Sequence, residues 1–120
     1  MSTHLVPPHG GVLKPLLLEG DILGKATKEA ASLPKVQLNS RETSDLIMLA
    51  VGAFSPLNGF MTKQDYDSVV EKMHLADGVL WPIPITLAVS KEQAETLSIG
   101  DQVALVDQDS GELMGRLTIE

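Results

Sequence analysis

The stretch "DQVALVDQDSGELMGRLTI", Asp101–Ile119, decides the fold class. It reads as two strands, Gln102–Val106 and Glu112–Ile119, joined by a polar turn containing Ser110–Gly111, which is a β-hairpin. Working back from it, Ser90 and Gln93 have the capping-box spacing of a short helix ending near Leu97. Before that, Ile83, Ile85, Leu87 and Val89 alternate as a strand facing a core, and the donor-less Pro82 and Pro84 place its start at an edge. A helix opening at Thr62, with Asp65 at its third position, carries Tyr66, Val69, Val70 and Met73 as one buried stripe and ends at Asp77–Gly78. Another starts at Asn39 or Ser40, where Glu42 stands three after Asn39, and stops near Gly52. Its "DLIMLAV" is apolar nearly all round, which predicts cover on more than one side. "KVQLN", Lys35–Asn39, alternates as a short strand, and Val12–Leu13 and Leu16–Leu18 read as brief strands. Strands early, midway and late with helices between them predict an α+β chain: a small mixed sheet or a small mixed β-barrel, partly closed, with inserted helices at one side.

Composition bounds what this fold can do. The chain has 120 residues, 43% of them apolar, enough for one domain with a core, and no internal repeat or low-complexity run divides it. Only 3% are aromatic, so no stacking platform for nucleic acid is evident. With no cysteine there is no disulfide, thiolate metal site or thiol nucleophile. The formal charge is −7, and its surplus lies in residues 61–120, with four basic side chains against eleven acidic ones. A phosphate-backbone binder needs clustered cations, and the only guanidinium groups here are Arg41 and Arg116, so nucleic acid is not an expected partner. The amino end, "MSTHLVPPHGG", has no basic region followed by an apolar run, and no segment approaches membrane-spanning length; a cytoplasmic, membrane-free protein is expected.

Candidate chemistry fails on spacing. His4, His9 and His74 have no partner at ligand spacing. Asp107-Gln-Asp109-Ser-Gly111 looks like the opening of a calcium loop, but its glycine falls fifth instead of sixth and the twelfth position is Thr118, so a polar hairpin turn is the better reading. Asp65 and Asp67 lie two apart on a helix and do not face one another. Ser55 lacks the flanking glycines of a nucleophile elbow, and no glycine-rich phosphate loop is followed by Lys. No residue is assigned a catalytic, cofactor-binding or metal role.

One loop stands out. In "VGAFSPLNGFM", Val51–Met61, Pro56 restricts Ser55 to extended geometry, and Asn58–Gly59 offers the positive φ angles of a reversal. Phe54, Leu57 and Phe60 either plug the base of the two-helix corner, which is the preferred reading, or, with Ser55 and Asn58, form a wall against a second domain or line the rim of its ligand cleft. In "PHGG", Pro8–Gly11, His9 beside two glycines either approaches a ligand or forms a glycine-relieved turn, and the turn is preferred.

Three blocks, "PPHGGVL" at Pro7–Leu13, "GAFSPLNGFMTKQDY" at Gly52–Tyr66 and "DGVLWPIPITLAV" at Asp77–Val89, resemble the amino-terminal domain of the ATP sulfurylase family, also called sulfate adenylyltransferases. The closing hairpin is similar to the last hairpin of the PUA-like barrel that the family places first. The resemblance implies that residues 1–120 are that amino-terminal PUA-like domain. It further implies a homo-oligomeric enzyme in which a sulfate oxygen attacks the α-phosphorus of MgATP, giving adenosine 5′-phosphosulfate and pyrophosphate. The family's QxRN and HxGH motifs lie in a following catalytic domain, and neither is here. Gln37 begins "QLNS" and His9 begins "HGGV", so no catalytic role carries over. Adenylyl transfer also needs several positive donors and a metal aimed at one point, which two scattered arginines in an acidic chain do not supply.

The expectation is therefore a non-catalytic scaffold that orients its own catalytic domain and contacts sister subunits, meets ATP and sulfate only through that domain, and is inactive alone. The ending, Thr118-Ile119-Glu120, reads as a cut inside a longer polypeptide. The alternative is a stand-alone PUA-like module for a protein or RNA partner, and the acidic charge disfavours RNA.

Overall fold

The side chain of Asn39 accepts the Glu42 N–H at 2.8 Å while Glu42 accepts the Asn39 N–H at 3.0 Å, and this reciprocal cap starts a helix over Ser40–Ala50. The computed structural model describes residues 5–120, so His4 lies outside the described residues. In chain order the regular elements are α1 (Gly20–Ala30), β1 (Lys35–Leu38), α2 (Ser40–Ala50), α3 (Lys63–Lys72), α4 (Lys91–Glu95), β2 (Gln102–Asp107) and β3 (Leu113–Thr118), preceded by a single 3-10 turn at His9–Gly11. The expected hairpin is present as the antiparallel pair β2–β3, with a bulge near Leu105–Val106. β1 pairs with β2 in parallel, so the three strands form a mixed sheet in the order β1-β2-β3.

That sheet is open among the described residues, so the small mixed sheet of the expectation is present and the partly closed barrel is not seen. Three of the expected strands are not formed, and their backbone bonds go elsewhere. Val12–Leu13 and Leu16–Leu18 join no ladder, because the Lys14 N–H goes to the Ser55 Oγ at 2.8 Å and the Leu16 N–H to the Ala50 carbonyl at 2.9 Å. The 83–89 segment buries Ile85 but leaves Ile83 half-exposed. Pro82 and Pro84 remove donors, and the Ile85 carbonyl instead accepts from Met61 at 2.8 Å.

Three helices depart from expectation. α1 is unexpected: it lacks a side-chain cap and carries glycines at 20 and 24, so its start was silent. α3 ends at Lys72 with Met73 in the left-handed region, and Asp77–Gly78 belongs to the turn beyond it. Of its predicted stripe only Val69 is buried, because the helix touches the core along a narrow line. Similarly, α2 buries Glu42 and Leu49 while Ile47, Met48 and Val51 stay 40–51% exposed, so its apolar circumference is covered on one side only.

The core divides into two clusters. Leu49, Leu57, Val69, Leu75, Trp81 and Ile85 form one, between α2, α3 and the segment after it. Val36, Leu38, Val103 and Leu105 form the other on the sheet, and Phe60 packs against both. Glu42 links the layers. It is buried, and its second carboxylate oxygen accepts the Ala88 N–H at 2.9 Å, which fastens the 85–89 segment to the start of α2.

Candidate functional site

The loop after α2 is built by a glycine. With Val51 as the cap, the Gly52 N–H reaches the Leu49 carbonyl at 3.2 Å and the Ala53 N–H reaches that of Met48 at 2.9 Å, a pairing that needs φ > 0 at Gly52, observed at 82°. The reversal expected at Asn58–Gly59 is thus made earlier; neither residue has positive φ, and the Ser55–Pro56 peptide bond is cis. Ser55 is buried, donates to the Gly52 carbonyl at 2.7 Å and accepts from Lys14. Its hydroxyl is a structural clasp. Replacing Ser55 with alanine strands the Lys14 N–H, so a loss of about 1–2 kcal/mol in urea unfolding is expected, with faster Lys14 amide exchange.

Leu57 is buried, Phe54 and Phe60 are half-buried and both pack against the first core cluster, and Asn58 is exposed. Phe54 stands edge-on to Trp81 with centroids 5.8 Å apart, and His9 sits 5.9 Å from the same indole. The Nε2 of His9 is bonded to the Leu80 carbonyl. Gly10 lies against the Pro56 ring: a Cβ there would come within 2.7 Å of its Cγ. The two segments singled out separately in the sequence, "PHGG" and the 51–61 loop, therefore meet, and Trp81 from the third block joins them. Together they line an apolar pocket of about 310 Å³ with Leu80 and Ile83, both 51% exposed, at its rim. The Trp81 Nε1–H is buried with no acceptor among the described residues. Trp81 was not a candidate in the sequence; its place in one of three ordered blocks was the available signal.

The site has little chemistry of its own. Among the described residues no three His, Asp or Glu side chains are grouped to hold a metal ion. Arg41 is bonded to Asp45 and Arg116 to Glu29, each at 2.8 Å. Asp65 accepts the Ala76 N–H, and Asp67 pairs with Lys63. Asp107 serves the hairpin turn: bonds from the Ser110 hydroxyl, the Ser110 N–H and the Thr43 hydroxyl hold its carboxyl below the ordinary aspartate range. A depressed carboxyl stabilises the fold above its unfolded value, and that contribution is lost as pH falls through the lower folded value. The Ser110 amide resonance should accordingly titrate below pH 3.8, the ordinary value, and Asp107→Asn should abolish that titration.

The match to the PUA-like domain family runs over residues 6–120. The chain belongs to the PUA-like domain family. This PUA-like domain is 58% identical over 118 residues to a sulfate adenylyltransferase of Chlorobaculum tepidum, covering 97% of this chain and 29% of that protein. It is 57% identical to that of Pelodictyon phaeoclathratiforme over the same shares, and 55% identical over 124 residues to that of a Psychrobacter species. The domain thus spans less than a third of the length of these relatives. Among solved structures it is similar to a hexameric APS kinase from Thiobacillus denitrificans, with a TM-score of 0.82, 36% identity, and coverage of 95% of this chain and 23% of that one. No helix among the described residues is long and apolar enough to cross a membrane.

Proposed function

We propose that residues 1–120 are the amino-terminal, non-catalytic PUA-like domain of a sulfate adenylyltransferase, the enzyme that joins sulfate to the α-phosphorus of MgATP and releases pyrophosphate. The observation that carries this reading is the 58% identity over 97% of the chain to a protein more than three times as long. In the proposed enzyme the bond-making groups and the MgATP site belong to a separate catalytic domain, and this domain orients it. The enzyme is a cytoplasmic homo-oligomer of sulfur metabolism; the hexamer of the APS kinase neighbour supports the assembly.

The 54–60 loop is proposed as the contact with the catalytic domain. Asn58 is exposed and Phe54 half-buried against Trp81, while Ser55, Leu57 and Phe60 anchor the backbone behind them. The half-exposed Leu80 and Ile83 beside Phe54 supply the apolar surface that such a contact would cover. A free-standing RNA module is disfavoured by the net charge of −7 and by the carboxylate pairing of both arginines.

The test is to express the reading frame beyond Glu120 and assay adenosine 5′-phosphosulfate from MgATP and sulfate. The longer protein should form it and residues 1–120 alone should not; turnover by the short chain, or none by the long one, would overturn the proposal. Ile83→Asp probes the contact. It should lower the melting midpoint of the longer protein by several degrees and leave that of the short chain within about 2 °C, since a solvated surface change costs little by itself.

A further inference from the structure

The chain holds two asparagines, Asn39 and Asn58, and one Asp–Gly pair, Asp77–Gly78. In each, closure of a succinimide ring needs only that the following backbone nitrogen reach the side-chain carbonyl carbon, the chemistry behind the heat lability of asparagine. The fold ties two of the three down. The Asn39 side chain accepts the Glu42 N–H at 2.8 Å, and Ser40 after it opens α2. Asp77 accepts the Val79 N–H at 3.1 Å, while the attacking group, the Gly78 N–H, is already given to the Leu75 carbonyl at 2.9 Å. Asn58 has neither restraint. It is exposed, the Gly59 N–H has no acceptor among the described residues, and no atom lies within 4 Å of a Cβ placed on Gly59, so nothing crowds the attacking nitrogen.

We propose that Asn58–Gly59 is a self-modification site whose isoaspartate product loosens the 54–60 loop. The Gly59 nitrogen forms a bond to the Asn58 side-chain carbonyl carbon, the bond from that carbon to the amide nitrogen breaks, and ammonia leaves with the proton that Gly59 gives up. Water then opens the ring at either carbonyl. One opening gives aspartate on an unchanged main chain; the other gives isoaspartate, whose main chain runs through the side-chain carbon and is one methylene longer. Either product carries a negative charge that asparagine lacks. Leu57, before the site, is buried, and Phe60, after it, packs against both core clusters, so the extra length has to be absorbed between two anchored residues in a close-packed interior. This chemistry needs only the loop and water, whatever lies beyond Glu120. In the proposed enzyme the new carboxylate would stand on the loop that meets the catalytic domain.

Incubation of residues 1–120 in warm, mildly alkaline buffer, with peptide mass spectrometry and an ammonia assay on the same samples, tests this. Acid at position 58 should accumulate together with ammonia, and faster as pH rises, because the attacking nitrogen must lose its proton. It should form at least about tenfold faster than acid at Asn39 or isoaspartate at Asp77, whose hydrogen bonds must open first. Asn58→Gln should yield none, since its longer side chain closes a less favourable ring, and Gly59→Ala should slow the conversion several-fold by crowding the nitrogen. The isolated isoaspartate form should melt several degrees below the parent and Asn58→Asp within about 2 °C of it, which separates added length from added charge. The proposal fails if Asn58 stays an amide under conditions in which the free peptide 51–61 converts, if Asn39 or Asp77 keeps pace with it, or if the isoaspartate form melts with the parent.

Discussion

Glu42→Ala lowers the unfolding free energy by about 3–5 kcal/mol. The carboxylate is buried and receives two backbone N–H groups, from Asn39 and Ala88. Truncation leaves both donors without a partner, at about 1–3 kcal/mol each, and removes half of the helix cap. Glu42→Gln keeps the shape and one acceptor, so roughly half of the loss is expected. Urea unfolding with unchanged slope measures it, and amide exchange at Ala88 localises it. A loss below about 1 kcal/mol for alanine would mean that the carboxylate is not the link between α2 and the 85–89 segment.

Gly52→Ala is the second large effect, at about 2–4 kcal/mol. Its φ of 82° carries the left-handed penalty of about 1–2 kcal/mol for an L side chain, and the new Cβ would stand 3.2 Å from the Leu13 Cδ1 and 3.3 Å from the Pro15 nitrogen, a backbone atom that cannot swing away. Gly59→Ala is the matched control. Its φ is ordinary and nothing lies within 4 Å of its Cβ position, so a change within about 0.5 kcal/mol is expected. Equal losses at the two positions would place the reversal where the sequence suggested, at Asn58–Gly59.

What was legible in the sequence was what local chemistry decides. Asn39 with Glu42, Thr62, and Ser90 started their helices as read, because a cap is satisfied within four residues. The hairpin was legible because its alternation and polar turn act at short range. Residues 83–89 alternated too, but their bonding partners, Met61, Arg41 and Glu42, come from elsewhere in the chain, and no periodicity encodes them. The site was half legible: both glycine-bearing segments could be singled out, whereas their meeting over Trp81 depends on the tertiary path. The parallel β1–β2 pairing, across more than sixty residues, was invisible for the same reason.

On the proposed function, these residues hold an enzyme's shape while ATP and sulfate are handled on other polypeptide. A backbone-amide NMR titration of residues 1–120 with MgATP and sulfate, with pyrophosphate release followed in the same tube, tests it most directly. A scaffold shows no saturable shift at His9, Phe54 or Trp81 and releases no pyrophosphate; saturable shifts at that pocket accompanied by pyrophosphate would place the chemistry on residues 1–120 instead.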